Sequence, residues 1–88
     1  MPLPDHATLA QELTDLIQDQ VLESPDGLTP QADLFDHGLD SMAIMQLLLL
    51  IEDKYGFMPP AADLTRDNFT TAEDLARLLA ERVDQPSA

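Results

Sequence analysis

An all-α fold is predicted by three observations. Apolar residues recur at helical spacing in three separate segments, no segment alternates apolar and polar side chains as a half-buried strand does, and Pro, Gly and capping residues punctuate the segments. The expected form is a small four-helix bundle, three main helices plus one short one, with a long ordered loop between helices one and two. Eighty-eight residues are enough for one domain with one core and argue against a large enzyme pocket. That domain is expected to span 1–88, with its core over about 8–83 and frayed termini, among them Pro86-Ser87-Ala88.

Leu9, Leu13, Leu16, Ile17 and Val21 line one side of helix one, predicted over Leu9 to Val21 with Asp5 or Thr8 as N-cap. Ser24-Pro25-Asp26-Gly27 then reads as a turn. The connection that follows runs to Asp40 and carries Leu28, Leu34, Phe35 and Leu39, too many apolar side chains for a loose linker, so it is expected to lie pinned across the helices. Helix two is predicted from Ser41, capped by Asp40, to about Tyr55, where Gly56 ends it. Ile44, Leu47, Leu48, Ile51 and Tyr55 form its buried stripe, while Met42, Met45 and Leu49 form a second apolar line expected to be exposed. After Pro59-Pro60, Asp63 to Phe69 allows one or two helical turns with Leu64 and Phe69 facing inward. Thr70 and Glu73 offer a capping box for a last helix with Leu75, Leu78, Leu79 and Val83 on its inner side.

Seventeen acidic and four basic residues leave a net charge of -13, which repels phosphate backbones and anionic headgroups, so neither nucleic acid nor a membrane surface is expected as a partner. Such a field attracts proteins with basic patches, though acids also serve solubility alone. With no cysteine, the chain has no thiol of its own, and thiol chemistry has to arrive with a cofactor. Met1-Pro2-Leu3-Pro4-Asp5 has neither a basic nor an apolar leader region, and the apolar run Met42 to Ile51 is far short of the ~20 residues of a membrane span. A cytoplasmic location is the expectation.

The run Asp33-Leu34-Phe35-Asp36-His37-Gly38-Leu39-Asp40-Ser41-Met42 leads directly into the apolar helix. It resembles the phosphopantetheine attachment site of acyl and peptidyl carrier proteins, whose Gly-x-Asp-Ser-hydrophobic core is matched by Gly38 to Met42. The similarity extends over roughly residues 9 to 83 and includes the helix order, the long first loop and the boundaries at Gly56 and Thr70. The resemblance implies that 4'-phosphopantetheine is attached covalently at Ser41 by a separate phosphopantetheinyl transferase, with Asp40 helping to orient the magnesium-bound complex. It implies too that Gly38 allows a tight approach into the helix and that Leu39 pins the loop. The chain itself is then not an enzyme and supplies no catalytic residue. A phosphodiester at the first turn of a helix meets the positive end of the helix dipole, a contact worth only ~0.3–1 kcal/mol. The tether contributes more, since it raises the cargo's local concentration at a docked enzyme to the millimolar range expected of roughly short flexible linkers.

Other chemistries fit less well. A serine after an aspartate at a helix start commonly reflects capping alone, and here the surrounding pattern makes the difference. His37 near Asp36, Asp40 and Ser41 suggests a catalytic triad, but the chain has no Gly-x-Ser-x-Gly turn. Asp33, Asp36 and Asp40 lack the alternating spacing and terminal glutamate of a calcium loop, so no metal site is expected. His37 is instead expected to be a loop residue near the arm.

Many fatty-acid carriers place several acids in the first two turns of this helix. Here Ala43, Ile44, Met45 and Gln46 are uncharged, and acids return only at Glu52 and Asp53. Docking is therefore expected through Met42, Met45 and Leu49, with Asp33, Asp36, Glu52 and Asp53 as a charged rim. Asp40-Ser41-Met42 followed by Gln46-Leu47-Leu48-Leu49 is similar to stand-alone aminoacyl carriers, including D-alanyl carrier proteins. That resemblance implies an adenylating ligase that loads an amino acid as a thioester and an acyltransferase or downstream carrier or synthase that removes it. The setting implied is polyketide, macrolactam or nonribosomal peptide assembly, with the carrier acting as a monomer. The alternatives are an ordinary polyketide or fatty acyl carrier and, from another class, an unmodified acidic helical interaction module.

Overall fold

The computed structural model describes residues 4–22 and 27–83. In chain order it contains α1 (His6–Leu16), continued by a π-helical turn over Ile17–Val21, then α2 (Ser41–Tyr55), two 3-10 turns (Ala61–Asp63 and Asp67–Phe69) and α3 (Ala72–Val83). The fold is all-α. The predicted short helix takes the form of the two 3-10 turns, because Leu64, with φ -82° and ψ 66°, leaves the helical region between them. Residues 24–26 of the expected turn, the 86–88 tail and the side chain of Val83 lie outside the described residues.

The apolar stripes meet in one core. Leu9, Leu13, Leu16 and Ile17 pack with Leu47, Leu48 and Ile51 of α2 and with Leu75, Ala76, Leu78 and Leu79 of α3, while Phe69 fills the remaining space fully buried. Each large side chain gains roughly 1.5–3 kcal/mol on full burial. The long loop joins this core as expected: Leu28, Leu34 and Leu39 are buried, and Phe35 is half-buried beneath the guanidinium of Arg66, 4.2 Å from its ring centre. Two backbone bonds tie the loop to the start of α3, Leu34 N donating to Thr70 O at 2.7 Å and Glu73 N donating to Pro30 O at 3.1 Å.

Four local expectations are corrected. α1 begins at His6 rather than Leu9. Asp5 holds the N-cap position in extended backbone and its side chain makes no capping bond to a backbone N–H, although the Thr8 hydroxyl lowers its carboxyl pKa. The cap of α3 is Thr71, whose Oγ1 accepts from Asp74 N at 3.0 Å, whereas the Thr70 hydroxyl donates back to Arg66 O at 2.8 Å. Leu64 faces outward, because the inward place beside it belongs to Asp63, which receives two bonds from Arg82 at 2.6 and 2.7 Å. These bonds hold the Arg82 guanidinium above its ordinary pKa.

Candidate functional site

The approach to α2 is a chain of caps. Asp33 Oδ1 accepts from Phe35 N at 2.9 Å and Asp36 N at 3.3 Å, which starts a single helical turn. Gly38 N then donates to Phe35 O, and Leu39 N donates across the whole turn to Leu34 O at 3.0 Å. This is a Schellman closure, with Gly38 at the positive-φ position (103°) and the flanking Leu34 and Leu39 buried together. A Cβ on Gly38 would meet nothing within 4 Å, so the backbone dihedral demands glycine here and close approach does not. Asp33 thus acts as the cap of this turn while remaining half-exposed.

Asp40 follows in extended backbone and caps α2, its Oδ1 accepting from Ala43 N at 2.8 Å while its carbonyl accepts from Ile44 N at 2.8 Å. Ser41 is the first residue of the helix and is exposed. The amides of Ser41 and Met42, ahead of the first intrahelical bond, are donors of that terminus with no acceptor among the described residues. At the other end Gly56 adopts a left-handed conformation (φ 71°) and its N–H closes on Glu52 O.

Met42, Met45 and Leu49 are 83%, 55% and 58% exposed and share one side of α2, opposite Leu47, Leu48 and Ile51. Exposed Glu52 and Asp53 lie one turn beyond Leu49, and exposed Asp36 stands in the turn before Gly38. Beside this line an open groove of about 660 Å³ runs from His37, Gly38 and Asp40 along Met42, Gln46 and Leu49, with Val21 and Leu22 as its far wall. Gln46 Nε2 donates to Gln20 O at 2.7 Å and holds that wall against α2. Val21 was expected only as part of the core stripe and is half-buried, and no periodic pattern marks Leu22 or Gln46 as belonging to a site.

The Phosphopantetheine attachment site family matches residues 11–79, which include every residue of the site described above. The chain belongs to this family of phosphopantetheine-dependent carrier proteins. As a carrier it is a substrate of loading enzymes and not itself a catalyst. It is 36% identical over 61 residues to aminoacyl carrier protein 1 of Bradyrhizobium diazoefficiens, covering 69% of this chain and 68% of that one. It is 29% identical to the D-alanyl carrier protein of Bacillus velezensis over 81% of this chain and 92% of that protein. Among solved structures, a Bradyrhizobium japonicum glycine:[carrier protein] ligase complexed with glycylated carrier protein contains a chain of similar fold, with a TM-score of 0.63 and 29% identity, over 83% of this carrier and 96% of that chain.

The carrier's cofactor is covalent 4'-phosphopantetheine, which supplies the thiol that the cysteine-free chain lacks. The residues present fit it. An exposed hydroxyl, two helix-terminal amides with no acceptor among the described residues and open space beside them stand at the start of α2. No helix among the described residues is long and apolar enough to cross a membrane.

Proposed function

We propose that this chain is a discrete aminoacyl carrier that bears its phosphopantetheine arm on Ser41 and presents an amino acid, held as a thioester, to successive enzymes. The observation that carries this reading is the exposed serine on the first turn of α2, flanked by the uncharged line Met42, Met45 and Leu49. Ser41 provides the attachment oxygen, Asp40 holds the turn and faces the transferase's metal, and Gly38 and Leu39 fix the approach. A phosphopantetheinyl transferase installs the arm and an adenylating ligase charges it. An acyltransferase, or a downstream carrier or synthase of polyketide, macrolactam or nonribosomal peptide type, unloads it. Docking uses Met42, Met45 and Leu49, with Asp36, Glu52 and Asp53 as the acidic rim that steers basic partners. The carrier works as a single-domain monomer in the cytoplasm. The relatives support the aminoacyl cargo, being named for aminoacyl, D-alanyl or glycyl loading. The absence of acids from Ala43 to Gln46 disfavours the fatty acyl alternative.

Co-expression with a broad-specificity phosphopantetheinyl transferase, followed by intact-mass measurement, tests the attachment. The wild-type chain gains one phosphopantetheine and Ser41→Ala gains none. A chain that stays unmodified, or a gain that survives in Ser41→Ala, refutes the assignment and leaves the acidic interaction module. A further amino-acid-dependent mass gain with ATP and an adenylating ligase separates the aminoacyl reading from the fatty acyl one.

A further inference from the structure

The sulfur of this chain is carried by four methionines, since it has no cysteine. Two of them, Met42 and Met45, stand one turn apart on the exposed side of α2, and neither packs against the core. Met42 follows the serine directly, so both thioethers lie at the end of the helix where Ser41 is presented. Met58, 36% exposed, lies beyond the Gly56 stop and outside the line formed by Met42, Met45 and Leu49. With no thiol in the polypeptide to intercept an oxidant, the two thioethers beside Ser41 are the most accessible sulfur atoms among the described residues.

Oxidation turns a thioether from an apolar, adaptable side chain into a polar sulfoxide. On the free carrier this costs little, because the new oxygen stands in water. Within an interface it costs more, because docking strips water from an acceptor that a surface fitted to a thioether leaves without a donor. The same modification therefore spares the fold and penalises the complex. We propose that Met42 and Met45 form a reversible oxidation site at which peroxide suppresses the docking of enzymes on α2 without unfolding the carrier. This inference rests on the docking role given to these residues above.

At each site hydrogen peroxide transfers one oxygen to sulfur. The O–O bond breaks, an S–O bond forms, sulfur gives up two electrons, and the second oxygen leaves as water. A methionine sulfoxide reductase reverses the step with two electrons from a dithiol, and the oxygen departs as water. Because the site adjoins Ser41, its oxidation acts ahead of any chemistry on the cargo.

The experiment treats apo carrier, which holds no thiol, with hydrogen peroxide, locates added oxygen by intact mass and peptide mapping, and measures arm installation by the broad-specificity phosphopantetheinyl transferase. Oxygen is expected at Met42 and Met45, with helicity and melting temperature nearly unchanged. Installation is expected to slow about tenfold, equivalent to ~1.4 kcal/mol. Methionine sulfoxide reductases for the two sulfoxide epimers restore the rate. Each variant is compared with its own untreated form. The double variant Met42→Leu/Met45→Leu, which keeps the other two methionines, is expected to hold its rate through the treatment, and Met58→Leu to lose it as wild type does. Failure of oxygen to add at Met42 and Met45, an unchanged rate once it has added, an equal loss in the double variant, a loss of helicity, or no recovery with the reductases overturns the proposal. Untreated Met45→Glu is the reference for docking itself: if that variant also gains the arm at the wild-type rate, the docking role fails as well. An untreated wild type that gains no arm defeats the attachment at Ser41.

Discussion

Gly38, with φ at 103° and open space where a Cβ would point, separates two reasons for a glycine. Gly38→Ala is expected to fold without a clash but with backbone strain of about 1–2 kcal/mol. Thermal melting should register this as a drop of about 4–8 °C for each kcal/mol in a domain of this size. A second prediction concerns Tyr55, whose hydroxyl donates to Glu12 Oε1 at 2.9 Å. Burial, reinforced by the bond to Glu12 and its charge, pushes the phenol above its ordinary pKa. The folded state therefore keeps a proton that the unfolded chain releases near pH 10. The associated stability is complete below about pH 10 and declines as pH rises beyond it. Denaturant titrations should show that alkaline decline in wild type and a shallower one in Tyr55→Phe.

At the scale of elements, α2 divides its residues between two tasks. Met45→Glu and Leu49→Glu are expected to leave helicity and melting temperature nearly unchanged, because both sites are solvated, while slowing charging by the ligase. Leu47→Ala, fully buried on the opposite face between them, is expected to cost about 2–5 kcal/mol in denaturant unfolding. Both ends of α2 were legible in the sequence because Asp40 and Gly56 act within a few residues of themselves. The Schellman turn that presents Ser41 is equally local, although the glycine's role there had been assigned to close approach. What the sequence hid depends on partners far along the chain. Leu64 lost its inward place to Asp63 because Arg82, nineteen residues on, pairs with that carboxylate. The π-helical turn ending α1, with Leu22 N bonded to Ile17 O, faces Gln46 twenty-six residues away, and no pattern within Ile17–Val21 announces it.

Across the whole molecule the four basic side chains are already engaged. Lys54 lies 3.9 Å from Glu12, Arg66 covers Phe35, Arg77 pairs with Asp74 and Arg82 with Asp63. The remaining acids repel one another with little relief. Raising ionic strength is therefore expected to raise the melting temperature, since screening weakens this repulsion over distances beyond about 8–10 Å. A calorimetric series in a neutral salt checks it: a constant melting temperature would show that the ion pairs balance the excess charge, and a falling one that they outweigh it. Composition made the sign of this effect readable, but not which acids lie near the serine, since that depends on the fold.

The two backbone bonds between the long loop and the head of α3 bear on how a tethered cargo is aimed. If the segment before Ser41 were to peel away, Glu73 would lose its acceptor on Pro30 and Leu34 its acceptor on Thr70, so loosening one region undoes the first turn of another. For the proposed attachment at Ser41, the pivot of the arm is thereby anchored to the head of α3, and the freedom of the swing is left to the prosthetic group.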